Sequence, residues 1–184
     1  GLIAVESRTE LDTHADTCVV GKHSLVTHEY DRYVSVTGYN PNQGKVKDLK
    51  VVSAALAYAC PDTGEVTIFQ INQAIYIKTM GNNLLCPMQI RMNDIKVFDC
   101  PKFLIENPNA NKHTITIPGK NGEDYVVPLS LHGVTSYFPT RKPTQDEYNR
   151  ADHEGSIIEL TYDSPEWDPH SETFNKQEVA ANKA

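Results

Sequence analysis

The sequence predicts a mostly β protein, and three observations carry that prediction. Short runs rich in β-branched and aromatic residues recur along the 184 residues, at 19–20, 33–37, 50–58, 66–71, 74–78, 95–98, 114–117, 125–131, 134–138 and 156–162. Turn-forming sequences separate them, as expected of strands joined by hairpins. Helical periodicity is confined to one short stretch and a weak one at the C-terminus.

The elements follow in chain order. Leu11 enters as a buried strand residue, the polar residues 12–17 turn the chain, and Cys18, Val19 and Val20 resume a buried strand. The sequences N-P-N-Q-G at 40–44, P-D-T-G at 61–64 and K-N-G at 120–122 mark three hairpin turns; Asn-Gly in particular tolerates the positive φ of a tight turn. Leu84, Leu85, Met88 and Met92 recur at helical spacing, which predicts a helix over 84–92 capped by Asn83. Residues 139–155 carry two prolines, many charges and few apolar side chains, and read as a linker. The segment 171–184 reads as a second, weak helix, and no internal repeat is visible.

Bulk properties narrow the function classes. A chain of 184 residues buries roughly 70% of its unfolded surface, enough for one domain with a core and an extension. No apolar run approaches the ~20 residues of a membrane helix, so no membrane role is expected. The net charge is -7, and between residues 144 and 174 nine acids face the single base Arg150. Such a segment repels phosphate, and without a basic stripe elsewhere direct nucleic-acid binding is not expected. The chain has no initiator Met and no signal-peptide layout, and reads as a piece of something longer. Cys18, Cys60, Cys86 and Cys100 lie 42, 26 and 14 residues apart, which matches no zinc-ligand spacing. They read as buried cytosolic thiols, and the absence of any N-x-S/T sequon leans the same way.

The chemistry-bearing stretch is E-L-D-T-H-A-D-T-C-V-V-G, at 10–21. Asp12 ends one buried strand just before another begins, where backbone N–H groups and a hydroxyl such as that of Thr13 hold its carboxylate. That placement suits an aspartic protease, in which two carboxylates about 3 Å apart share one proton: one activates water and the other protonates the substrate carbonyl. The chain carries one such motif, so an identical subunit must supply the second Asp across a twofold axis.

L-D-T-H-A-D-T resembles the L-D-[ST]-G-A-[DST] signature of retroviral-type aspartic proteases. The following F-Q-I-N-Q-A-I-Y-I at 69–77 and N-N-L-L-C-P-M-Q-I at 82–90 resemble the paired landmark of copia-type (Pseudoviridae) LTR retrotransposon proteases, in which an Asn-Leu-Leu element leads into a single helix. The resemblance implies a retropepsin-like closed β-barrel with one short helix over 1–98, followed by a β-rich extension at 99–138 and an acidic linker and tail at 139–184. It implies a homodimeric aspartic endopeptidase that matures a retrotransposon Gag-Pol polyprotein, with a polypeptide substrate and no cofactor or metal. The implied setting is a cytoplasmic virus-like particle, with an extracellular one left open. By resemblance Asp12 is the catalytic carboxylate and Thr13 braces the two loops across the dimer. Ala15 lines the substrate cleft and Asp16 receives substrate backbone N–H groups. The implied flap is the hairpin at 39–49, with 61–64 as second choice. His14 stands where the family has Gly, beside the carboxylate, where a Gly-type backbone angle would strain it and its side chain would meet its symmetry mate.

The residues also allow other readings. Asp12, His14 and Asp16 share one face of an extended strand and, with His23 or His28, form a conceivable divalent-metal set, though the spacing matches no named pattern. His113, His132, His153 and His170 read as surface residues, and Trp167 as an anchor packing the tail on the body. A non-enzymatic alternative is a catalytically inactive retrotransposon-derived domain acting as a self-assembling, even filament-forming, structural protomer whose exposed strands pair with neighbouring copies.

Overall fold

A computed structural model describes residues 5–37, 45–109 and 112–183. The chain is mostly β, as its strand-and-turn pattern predicts. Twelve strands occur among the described residues: β1 Glu6–Leu11, β2 Val19–Val20, β3 Leu25–Thr37, β4 Lys45–Ala59, β5 Val66–Tyr76, β6 Asn83–Leu85, β7 Lys96–Phe98, β8 Thr114–Ile117, β9 Tyr125–Pro128, β10 Ser130–His132, β11 Thr135–Arg141 and β12 Ile158–Glu159. Three helices accompany them, α1 Pro87–Arg91, α2 Gln145–Glu154 and α3 Glu172–Asn182. No helix among the described residues is long and apolar enough to cross a membrane.

Nine strands form the main sheet, in the order β10-β11-β1-β6-β2-β5-β4-β3, with β12 added on β5 and a pairing of Arg141 with Ala57 joining β11 to β4. The antiparallel pairs β3/β4 and β4/β5 are chain neighbours, as are β8/β9 in the small sheet β7-β8-β9. The turn at 61–64 closes β4/β5 with Gly64 at φ +74, and Gly122 at φ +80 closes β8/β9. The turn at 40–44 and most of the expected flap at 39–49 lie outside the described residues. Two short parallel pairings order the centre of the sheet: β1 with β6, Leu11 opposite Leu85, and β2 with β5, Val19 opposite Ile75.

Apart from a smaller cluster of Ala55, Ala57, Ile68 and Ala151, a large apolar core packs on the main sheet. Tyr58 and Phe69 stack at 5.5 Å between ring centres, and Phe138 meets both edge-on at 5.8 and 6.1 Å. Leu11, Leu56, Ile115, Leu160 and Trp167 belong to the same cluster, so segments 1–98, 99–138 and 139–184 all contribute to it. Gly21 is fixed by close approach: a Cβ there would collide with the Met80 carbonyl, which accepts the neighbouring Lys22 N–H at 2.9 Å.

Three elements differ from expectation. Asn83 and Leu85 are buried strand residues rather than cap and helix, and the helix begins only at Pro87, because proline holds the preceding Cys86 extended and is itself suited to the first helical position. Residues 139–155, expected as a linker, end β11 and then form α2. There the Thr144 hydroxyl accepts the Glu147 N–H, the Glu147 carboxylate returns to the Thr144 N–H, and Gly155 at φ +66 closes the helix. The third difference is Asn72–Gln73, two polar residues inside the apolar β5. They bulge opposite Ser53, since Val52 pairs with Ala74 but Ala54 with Ile71, and Gln73 takes φ +53.

Candidate functional site

The 12–17 loop connects β1 to β2. Its start is fixed to β6, where the Asp12 N–H donates to the Leu85 carbonyl at 3.0 Å. The Asp12 carboxylate, half-buried, accepts the His14 N–H at 2.9 Å, and the Ala15 N–H returns to the Asp12 carbonyl at 3.1 Å. An Asp side chain that accepts the amide two residues on closes a turn without help from its neighbours, which leaves the second carboxylate oxygen unused by this turn. The loop's end is fixed by a side chain: Gln89, buried on α1, accepts the Cys18 N–H at 2.9 Å and donates to the Gln73 carbonyl at 3.0 Å. Thr13, His14 and Asp16 face solvent, while Ala15 packs against the core.

The backbone at His14 is not left-handed, so the strain expected of a His in a Gly position is absent. Its N–H reaches the carboxylate as a Gly amide would, and its side chain is exposed. Cys18 and Cys86 lie buried beneath the loop, with the Cys86 N–H directed at the Cys18 sulfur at 3.2 Å; burial pushes both thiols up and makes them poor nucleophiles.

The β5 bulge turns two amide side chains toward the C-terminal segment. The Thr161 hydroxyl accepts the Asn72 N–H and donates to the Asn72 carbonyl, both at 2.7 Å, while Asn72 Nδ2 donates to the Thr161 carbonyl at 3.0 Å. Gln73 uses its whole amide: Nε2 donates to the Tyr162 and Pro165 carbonyls, and Oε1 accepts the Trp167 N–H and an Arg32 guanidinium N–H at 2.7 Å each. A second tie joins β3 to the same segment, where the Tyr30 hydroxyl donates to Asp163 at 2.7 Å. Burial there pushes the Tyr30 phenol up to about 12. Trp167, buried, then reaches the loop itself, its indole N–H donating to the Asp16 carbonyl at 2.8 Å.

No protein-family profile, curated protein or solved structure matches this chain.

The structure therefore brings Asp12, Thr13, His14, Ala15 and Asp16 into one loop, and adds the neighbours Gln89 and Trp167, which the sequence reading did not assign to it. Two adjacent polar residues, Asn72–Gln73, interrupting the alternation of β5 were the available signal for the bulge. Among the described residues no three His, Cys, Asp or Glu side chains group to hold a metal ion. His113, expected on the surface, is buried at a left-handed backbone position, with Nε2 2.9 Å from the Ser136 hydroxyl; burial, and then Lys102, lower its pKa. The cysteines are all free thiols, but only Cys18 and Cys86 are buried; Cys60 is partly exposed and Cys100 exposed.

Proposed function

We propose that this chain is a retropepsin-type aspartic endopeptidase, active as a homodimer with one Asp12 per subunit, that matures the polyprotein from which it comes. The supporting observation is the setting of Asp12: a half-buried carboxylate at the ends of two parallel strands, held by the His14 N–H and with its own N–H tied to Leu85. A carboxylate so held presents a fixed acceptor to a water molecule, and the exposed 12–16 face is where a symmetry mate's carboxylate would arrive. The two carboxylates would then share one proton, since both cannot ionise side by side. Thr13 would brace the paired loops, Ala15 line the cleft and Asp16 take substrate amides. The retropepsin-like barrel is proposed on the same footing, with the Arg141–Ala57 pairing as the contact that brings β11 back to β4.

The structural-protomer reading fares worse on one observation. Its natural docking edge is β3, a long outer strand, but three register irregularities interrupt β3 and Glu29, Asp31 and Arg32 charge it. These are features that discourage strand addition.

A longer precursor carrying this segment tests the proposal. Wild type is expected to cleave itself and to be blocked by a statine-type inhibitor, while Asp12→Asn, folded by circular dichroism, loses roughly a thousandfold or more in rate. A folded, dimeric wild-type precursor that stays intact from acid to neutral pH removes the protease reading.

A further inference from the structure

We propose that Trp167 is a positioning residue for the 12–17 loop, so that the site is assembled from both ends of the chain and the segment around 158–174 belongs to the functional unit. The assignment of a catalytic role to the loop rests on the protease reading above; the positioning itself rests on geometry alone.

Three hydrogen bonds set the course of the loop from outside its own turn, and the Cys18 carbonyl and sulfur, which accept the Ile75 and Cys86 N–H groups, reinforce its end. Two of the three hold its ends, Asp12 N–H to Leu85 and Cys18 N–H to Gln89. The third holds its next-to-last residue, and it is the indole N–H of Trp167 on the Asp16 carbonyl at 2.8 Å. An indole has one donor and no acceptor, so a buried Trp that spends its N–H on one carbonyl fixes the direction of that peptide unit.

Trp167 can act as a strut because it is itself fixed at other points. Its backbone N–H is held by Gln73 Oε1 at 2.7 Å, and the adjacent Glu166 pairs with Arg32 at 2.9 Å. Its ring packs between Tyr162 at 6.2 Å and Phe174 at 5.7 Å. Gln73 points at the segment because the bulge puts it there, so the bulge, the Trp and the loop form one mechanical chain. The contact of His170 with Asp16, at 3.7 Å and with both side chains mostly exposed, adds little.

Removing the N–H while keeping a ring separates positioning from packing. In the full chain, Trp167→Phe is expected to speed hydrogen exchange of the His14 and Ala15 amides about five- to tenfold, the size of one net hydrogen bond. Amides of β8 and β9 should stay unchanged. Phe174→Leu, which loosens the ring packing but leaves the indole N–H, should leave the loop amides at the wild-type rate. In a chain with measurable proteolysis, Trp167→Phe should lower kcat about tenfold with KM within about twofold.

Unchanged loop exchange in folded Trp167→Phe overturns the proposal, and so does equal loosening by Phe174→Leu. If Trp167→Phe fails to fold, the benzothiophene isostere, sulfur in place of the N–H, is incorporated at 167 and read by the same exchange criterion. Faster loop exchange in a chain without proteolysis upholds the positioning role and removes the protease reading alone.

Discussion

β2 and β12 make an instructive pair. Each is a two-residue strand lying parallel on the same edge of β5, β2 against Ile75–Tyr76 and β12 against Phe69–Gln70, yet they come from opposite ends of the chain. β2 sits between two strands, with β6 on its far side, and Val20 is fully buried. Among the described residues β12 has β5 alone for a strand partner, and its Glu159 is exposed. Strands this short cannot hold themselves by ladder hydrogen bonds, so each is clipped by a side chain at the bulge: Gln89 beside β2 and Thr161 beside β12. The edge of β5 is thus completed by buried amides and hydroxyls as much as by backbone.

The strongest way to break this comparison is to remove the clip of the better-held strand. Gln89→Ala leaves the Cys18 N–H and the Gln73 carbonyl without their buried partner and opens a cavity, at a cost of about 3 kcal/mol. Urea denaturation should show it as a lower midpoint with an unchanged slope. A loss no larger than that of a surface substitution would mean that β5 and β6 secure β2 without the clip.

Thr161→Val comes next. It keeps the shape but strands both backbone groups of Asn72, at about 2 kcal/mol. Hydrogen exchange should place the damage at 158–161 and 72–73; damage spread equally to β2 would show that the two strands open as one unit rather than two.

The smallest effect tests what leads into β12. Glu147 caps α2 and pairs with Arg141 through two 2.7 Å contacts, which hold its carboxyl down to about 2. A carboxyl lowered by folding stabilises the fold above its ordinary value near 4.5, and the contribution fades as pH falls toward about 2. For a pair at 30% side-chain exposure this is on the order of 1 kcal/mol. Glu147→Gln should therefore melt below wild type at neutral pH, with the gap closing in acid; a gap that persists at low pH would assign the loss to packing.

Much of the β pattern was legible because β-branched runs and turn residues act locally. Val19–Val20 and the β8/β9 hairpin came from such signals, and the C-terminal helix from weak helical periodicity. The short helix was placed three residues early, since Leu84 and Leu85 fit helical spacing as well as strand burial, and only Pro87 separates the two. α2 was missed although Thr144, Glu147 and Gly155 spell its boundaries, because the charge of 139–155 outweighed its caps. The loop of Asp12 was legible from one local motif. Its tethers were not, since Gln89 lies 71 residues from Cys18 and Trp167 lies 151 from Asp16, and separations of that length leave no spacing to recognise.

The pairing of β1 with β11 bears on how the protein comes into being. Thr9 and Thr140, whose hydroxyls meet at 2.7 Å, are 131 residues apart, and Trp167 is made later still. A chain is synthesised from its N-terminus, and contacts of such long range form late and slowly. On a ribosome the Asp12 motif is made before β11 and Trp167. The topology acts as a delay: the loop is made before the partners that fix it, and a nascent chain carries it unfinished until the acidic segment has been completed.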